Sequence, residues 1–281
     1  MSTFHEAITA LPDDPQQSTR STPAPSGVKQ SFRAPTRTRR ERIRMIAIYA
    51  AGFTVMTLGA IAMPVIALLT LFQARRLYCE VMAAGMARVG LWMAGIKMIV
   101  HHRERIPKGQ VVYVANHWST LDVFLLLALR LPNARFFLSG HLRRKLPMAV
   151  IGYLVGVFWT VPQRFPERRV KIFQRADRIL RRTGESVFAS PEGNKGELDI
   201  LAPFNKGAFH LATSLRVPII PFYINIPRAI NPGWGYNYRP GVVEIHFQPP
   251  IATDDWRLED LEQNRAAVRE RFLDWQQQLQ T

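Results

Sequence analysis

The chain has a single cysteine, Cys79, in 281 residues. One thiol allows no disulfide within the chain, no multi-cysteine metal site and no two-cysteine redox motif. Cys79 lies in an apolar stretch and reads as a small buried residue rather than a nucleophile, which suits a reducing, cytosol-facing compartment. Acidic charge is also scarce, with 21 Asp and Glu against 37 Lys and Arg and a formal net charge of +16. The imbalance is local. Residues 101–199 hold 17 basic and 8 acidic side chains, an excess of +9, whereas residues 200–281 balance at 8 of each. A field of that sign attracts anionic lipid headgroups, phosphorylated substrates, an acidic carrier protein or nucleic acid. The basic stretches lack the interleaved aromatics of the common nucleic-acid modules, so nucleic acid is not an expected partner. There is no GxSxG elbow to present a serine nucleophile, and no internal repeat. The adjacent His101 and His102 have no partners at metal-ligand spacing, so neither a metal nor a cofactor is expected. His210 and His246 read as structural.

What the chain does have is one long uncharged run. Residues 1–36 are rich in Ser, Thr, Pro and Gln and poor in large apolar groups, so a disordered tail is expected there. Residues 45–72 then carry no charge over 28 positions, more than the roughly 20 needed for one helical crossing of a bilayer. Arginines flank the run on both sides, at Arg37, Arg39, Arg40, Arg42 and Arg44 before it and at Arg75 and Arg76 after it. A single span favours one side for its cations. Gly59 and Pro64 interrupt the run, so a re-entrant hairpin bent there and a tilted single span both remain open. Residues 77–100 predict an amphipathic helix on the membrane or packed on the domain. Residues 37–100 thus form a membrane-anchoring helical segment.

Beyond Pro107 the pattern becomes strand and helix in alternation. Strands are expected at 111–116, 186–190, 217–225 and 242–247, and helices at 121–131, 167–182, 207–215 and 257–278, while 136–160 is mixed. Gly184 stands as the stop signal of the second helix. The fold class this predicts for 101–281 is α/β, a mixed central sheet flanked by helices, preceded by the membrane-embedded helical segment.

The first strand runs straight into Asn116-His117-Trp118-Ser119-Thr120-Leu121-Asp122. Five residues apart, His117 at a strand end and Asp122 in a first helical turn can meet across a tight loop, with Ser119 or Thr120 capping the helix. A carboxylate on one imidazole nitrogen fixes the tautomer and lets the other take a proton from a hydroxyl. A substrate alcohol can then be the nucleophile. A His followed five later by an Asp occurs by chance in roughly one such chain in five, so the placement matters more than the spacing.

The NHWSTLD stretch resembles the NHxxxxD signature of the glycerolipid acyltransferase family, which includes the 1-acylglycerol-3-phosphate acyltransferases. Further blocks follow in that family's order. Arg164 in VFWTVPQR resembles the arginine closing the second motif, SPEGNKG at 190–196 resembles FPEGTRS, PFNKGAFHLA at 203–212 resembles PFKxGAFxxA, and VPIIP at 217–221 resembles the fourth motif. The likeness covers roughly residues 100–250. It implies His117 as general base, Asp122 as its orienting carboxylate, Asn116, Glu192 and Gly193 as acceptor-site residues, and Arg164 and Lys195 as phosphate contacts. It implies transfer of a fatty acyl group from acyl-CoA or acyl carrier protein to lysophosphatidic acid, giving phosphatidic acid. Membrane lipids would be its surroundings, and the domain would face the cytoplasm, where both donors reside, at the inner membrane if the source is bacterial. Ser190, Asn194, Lys195 and Gly196 depart from the family's usual Phe, Thr, Arg and Ser. Lysine offers a point charge where arginine offers a fork, so another lyso-lipid, such as a lyso-ornithine lipid or lysophosphatidylglycerol, is an alternative acceptor. A non-catalytic basic membrane module is the alternative of another class. The basic helix 167–182, or the Arg143-Arg144-Lys145 cluster, is expected to face anionic lipid or the acyl carrier.

Overall fold

The computed structural model describes residues 38–193, 200–231 and 238–280. The tail at 1–36 and Lys195 lie outside the described residues.

The apolar run lies in one helix, α1 (Arg39–Leu69). Thr38 starts it with a capping box: its hydroxyl accepts the Glu41 N–H at 3.3 Å and the Glu41 carboxylate accepts the Thr38 N–H at 2.8 Å. A bend at Gly59 and Pro64, one of the two arrangements left open by the sequence, does not occur, because both residues lie inside the continuous helix. Gly59 serves packing instead, since a Cβ there would sit 1.9 Å from Met86 Sδ. The reversal comes after Leu69, where Leu71 and Phe72 adopt φ of 51° and 60°. The chain then returns through a π-helical segment (Leu77–Ala83) into α2 (Ala84–Met93). Near the turn the Tyr78 and Thr70 hydroxyls bond to each other, and at the other end Met45 and Tyr49 of α1 share a pocket wall with Ala94. The two arms are therefore an antiparallel hairpin. Its inner side buries Met63, Ala67, Tyr78, Cys79, Ala87 and Leu91, while Ile46, Ile61, Leu69 and Trp92 are 62–80% exposed on the outside.

The helix predicted over 77–100 stops early. Gly95, at φ +72°, ends α2 and its carbonyl accepts the Gly241 N–H at 3.0 Å. The following Ile96–His101 is strand β1, drawn into the sheet by pairing with a strand 145 positions away in sequence, as in Ile96 opposite Gly241. The remaining elements are β2 (Val112–Ala115), α3 (Asp122–Ala128), β3 (Ala134–Ser139), α4 (Leu146–Val155), β4 (Phe158–Thr160), α5 (Pro166–Thr183), β5 (Ser186–Ala189), α6 (Gly207–Leu215), β6 (Ile219–Asn225), β7 (Gly241–Phe247) and α7 (Leu261–Gln280). The mixed stretch 136–160 thus resolves into most of β3, then α4 and β4.

The seven strands lie in the order β1-β7-β6-β2-β5-β3-β4. From β6 to β4 all pairings are parallel; β7 is antiparallel to β6, and β1 is parallel to β7. This is the mixed sheet expected from the sequence. Its central strands are buried on both faces, which is why β2 and β5 read as unbroken apolar runs. On one face the hairpin, α3 and α4 pack over Tyr113, Phe136, Phe188, Phe222 and Phe247. On the other, α5, α6 and α7 pack over Val112, Val114, Val187 and Ile219.

One buried ion network ties the hairpin to the sheet. Arg75, just past the turn, and Arg135 on β3 both bond to the Glu185 carboxylate at the start of β5. Burial alone would raise the Glu185 carboxyl, but the Arg135 hydrogen bond and the charges of Arg75 and Arg135 hold it below its ordinary value. Removing one partner of such a cluster costs about 3–5 kcal/mol, because it strands buried charge.

Candidate active site

Strands β2, β5 and β6 run in one direction, so the loops at their C-terminal ends share one rim of the sheet. In sheets of this kind ligands collect at that rim.

β2 delivers His117 to it. The His117 Nδ1–H donates to Asp122 Oδ2 at 2.7 Å, and the same oxygen accepts the N–H groups of Trp118 and Ser119, each at 3.0 Å. Three donors converging on one oxygen fix the carboxylate, which is 2% exposed, while the His117 side chain is 27% exposed. With Nδ1 holding its proton toward Asp122, the lone pair sits on Nε2, the geometry that lets an imidazole take a proton from a substrate hydroxyl. Neither Ser119 nor Thr120 caps α3, whose N-cap is Leu121. The helix starts one or two residues later than expected, with Ser119 Oγ accepting the Leu121 N–H at 3.0 Å and the Thr120 hydroxyl bonded to Tyr238.

Asn116, expected to touch substrate, is 2% exposed. Its side-chain amide donates to the Ile224 carbonyl at 3.0 Å and accepts the Ile224 N–H at 2.8 Å. Both ends are thus spent clamping β2 to β6, which sets where His117 begins.

Glu192 follows β5 and is equally buried. Oε1 accepts the His117 N–H at 2.6 Å and Oε2 accepts the Ala202 N–H at 2.9 Å. Burial pushes this carboxyl up to about 7, opposed by the N–H groups of Ala202 and His117. Gly193 next to it adopts φ +72°, and a Cβ there would lie 2.6 Å from Asn205 Nδ2, so only glycine fits.

Two residues not singled out from sequence complete the loop. Asn205 donates its side-chain amide to the Pro191 carbonyl at 2.8 Å and accepts from Gln163 Nε2 at 3.1 Å. The PFNKGAFHLA run contained Asn205, but its pairing with Gln163 spans 42 positions and has no local signal. Through Gln163 the loop bearing Arg164 is fastened to the Glu192 loop. Arg164 itself is exposed, its guanidinium 5.1 Å from the Phe165 ring centre. Thr120 connects the rim to a pocket lined by Arg44, Met45, Ile48, Tyr49, Tyr238 and Arg239, beside the first turns of α1.

Other reactive groups lie elsewhere. Burial pushes the Cys79 thiol up to about 11, so it holds its proton at neutral pH. On the edge strands His101 of β1 meets Glu244 and His246 of β7, partners supplied by the β1–β7 pairing and not by sequence spacing. The two imidazoles are stacked, centres 4.3 Å apart and 9° from parallel. One ion cannot lie in both ring planes of such a stack, so the trio is not arranged as a metal centre.

Comparison with known proteins points one way. Residues 97–225 match the family described as Acyltransferase. The chain is similar to a 1-acyl-sn-glycerol-3-phosphate acyltransferase of Limnanthes douglasii, 26% identical over 61% of this chain and 60% of that protein. It is also similar to one of Saccharomyces cerevisiae, 25% identical over 65% of this chain and 60% of that one, and to 1-acyl-sn-glycerol-3-phosphate acyltransferase beta of Homo sapiens, 31% identical over 45% and 46%. The match thus spans about 60% of the length of the first of these relatives. The crystal structure of the 1-acyl-sn-glycerophosphate (LPA) acyltransferase, PlsC, from Thermotoga maritima shares the fold, with a TM-score of 0.70 and 20% identity over 85% of this chain and 98% of that one.

Proposed function

We propose, on the premise that the chain belongs to the acyltransferase family matched over residues 97–225, that it moves a fatty acyl group from a thioester to the free hydroxyl of lysophosphatidic acid, giving phosphatidic acid. The observation that carries this reading is the 2.7 Å bond between His117 Nδ1 and the buried Asp122 carboxylate, held beside the Glu192 loop.

The acceptor O–H gives its proton to His117 Nε2 as its oxygen attacks the thioester carbonyl carbon. Asp122 stays ionised and stabilises the imidazolium. The tetrahedral oxyanion collapses, the C–S bond breaks, and the thiolate leaves with the proton from His117. The products are the diacyl lipid and a free thiol, with no change of redox state and no call for a cofactor or metal. Glu192 and Asn116 act as positioning residues, each through backbone groups that set the end of β2. Arg164 and Lys195 serve as cationic contacts for the acceptor phosphate. The names of the relatives support lysophosphatidic acid as acceptor.

The apolar hairpin supports a membrane setting for the enzyme. α1 is long and apolar enough to cross a bilayer, yet it folds back along the domain, which favours an anchor embedded from one side over a single span. Its exposed outer side chains, together with Leu146 and Tyr153 of α4, enter lipid. Arg143 and Arg144 just before α4 meet anionic headgroups. Both thioester donors, acyl-CoA and acyl carrier protein, are cytosolic, so the domain faces the cytoplasm, at the inner membrane in a bacterium.

The test supplies purified protein with acyl-CoA and a panel of lysophosphatidic acid, lysophosphatidylglycerol and lyso-ornithine lipid, identifying products by mass spectrometry. Phosphatidic acid as main product, lost in His117→Ala, is the expected result. Turnover surviving His117→Ala near the normal rate would falsify the mechanism, and a different main product would replace the acceptor.

A further inference from the structure

We propose that the outward face of α5 is the docking surface for a small acidic protein that carries the acyl chain as a thioester. This rests on the acyl-transfer reading above and names the donor's form.

Along α5 the exposed cations Arg168, Lys171, Arg175, Arg178 and Arg182 recur at steps of three and four residues, and Arg164 extends the row toward the site. The buried residues Val170, Phe173, Ala176 and Leu180 lie on the opposite side of the helix, so the row points straight away from the sheet. Among the described residues no carboxylate makes an ion pair with any of these six side chains. Asp177, on the flank, is taken by Arg181 at 2.9 Å and by the Ser214 hydroxyl at 2.8 Å. Glu167 is the one other acid on the helix. Like charges at these spacings repel, and among the described residues no acidic side chain offsets them; an external anionic surface would.

Three features select the partner. The row runs for about 20 Å along the helix, whereas a nucleotide donor holds its phosphates in one compact head that two or three cations can grip. The row also lies on the opposite face of the sheet from the apolar hairpin, so a bilayer that takes up the hairpin cannot also cover α5. Finally, the end of the row adjoins the site: Gln163, next to Arg164, bonds to Asn205 of the Glu192 loop. A carrier lying along α5 would hold its thioester arm at that rim.

The experiment uses the full chain in detergent micelles and compares two donors with the same acyl group, acyl-CoA and the thioester of an acidic acyl carrier protein. Wild type is set beside the charge reversal K171E/R175E/R178E and the neutral K171Q/R175Q/R178Q. We expect KM for the carrier thioester to rise about tenfold or more in the reversal and less in the neutral variant. KM for acyl-CoA should change less than about twofold, with kcat kept for both donors, and the wild-type carrier KM should climb with salt while that of the reversal does not. An unchanged carrier KM overturns the proposal. So does an equal loss with both donors, which would assign the row a structural role, and so does loss of binding to phosphatidylglycerol vesicles with carrier turnover intact, which would assign it to the membrane. If wild type turns over neither donor the acyl-transfer reading itself fails; if it turns over acyl-CoA alone, only this proposal fails.

Discussion

Two groupings of histidine and carboxylate sit on the same sheet, one in the loop after the central strand β2 and the other on the edge strands β1 and β7, and they differ in everything but composition. At the first grouping Asp122 is 2% exposed, accepts three hydrogen bonds on one oxygen and holds His117 at 2.7 Å. At the other, Glu244 is 41% exposed and lies 3.2 Å from His246 and 3.6 Å from His101. Burial and the nearby His101 both push the His246 imidazole down, against the opposing pull of Glu244, so it stays neutral and stacked. An imidazole becomes useful for proton transfer when its carboxylate is dry, fixed and unable to turn away. The first grouping meets those conditions because a tight loop wraps the carboxylate in backbone N–H groups; the second, on open strand faces, does not.

Substitutions in the two groupings break or sharpen this contrast. The largest effect is expected from His117→Ala, about a thousandfold or more in kcat with the far-ultraviolet circular dichroism unchanged. Asp122→Asn should cost about a hundredfold or more, since an amide can present its N–H to Nδ1 and favour the wrong tautomer; equal rates in Asn and wild type would remove the orienting role. Glu192→Gln keeps the shape but offers an N–H where a backbone N–H needs an acceptor, and about tenfold in kcat with little change in KM is expected.

The same carboxyl gives a pH signature. Its folded value of about 7 lies above an unfolded value of about 4.3, so its contribution to stability is full below the unfolded value and lost as pH rises through about 7. Melting temperatures measured from pH 4 to 8 should show that decline in wild type and a flatter profile in Glu192→Gln. The smallest effect is expected on the edge strands: His101→Ala and His246→Ala should leave turnover within about twofold, and a large loss there would erase the contrast.

The site was legible where its residues are neighbours in sequence. His117 and Asp122 share one loop, and α5 announced itself through the spacing of Val170, Phe173 and Leu180 and the Gly184 stop, which takes φ +63°. Strand β1 was not legible, because its apolar residues continue the run of the helix before them; only Gly95 marked the change. The reversal of the hairpin was misplaced for a related reason. Pro64 and Gly59 are breakers in isolation, but a helix can omit one N–H, and the missing Cβ admits Met86. The clamps from Asn116 to Ile224 and from Gln163 to Asn205 join residues 108 and 42 positions apart, beyond the reach of any local pattern. The family resemblance puts Asn116 and Glu192 at the acceptor site, and no local pattern signals that their side chains bond to the backbone groups of Ile224, His117 and Ala202.

The central claim is that the acceptor's own hydroxyl, relieved of its proton at His117, attacks the thioester without any acyl-enzyme. Intact-protein mass spectrometry of the enzyme mixed with acyl thioester alone, followed by addition of lysophosphatidic acid, tests it most directly. The unmodified mass should persist until the acceptor arrives, and free thiol should appear only then. A stoichiometric acyl adduct formed before the acceptor is added, and discharged by it, would contradict the account.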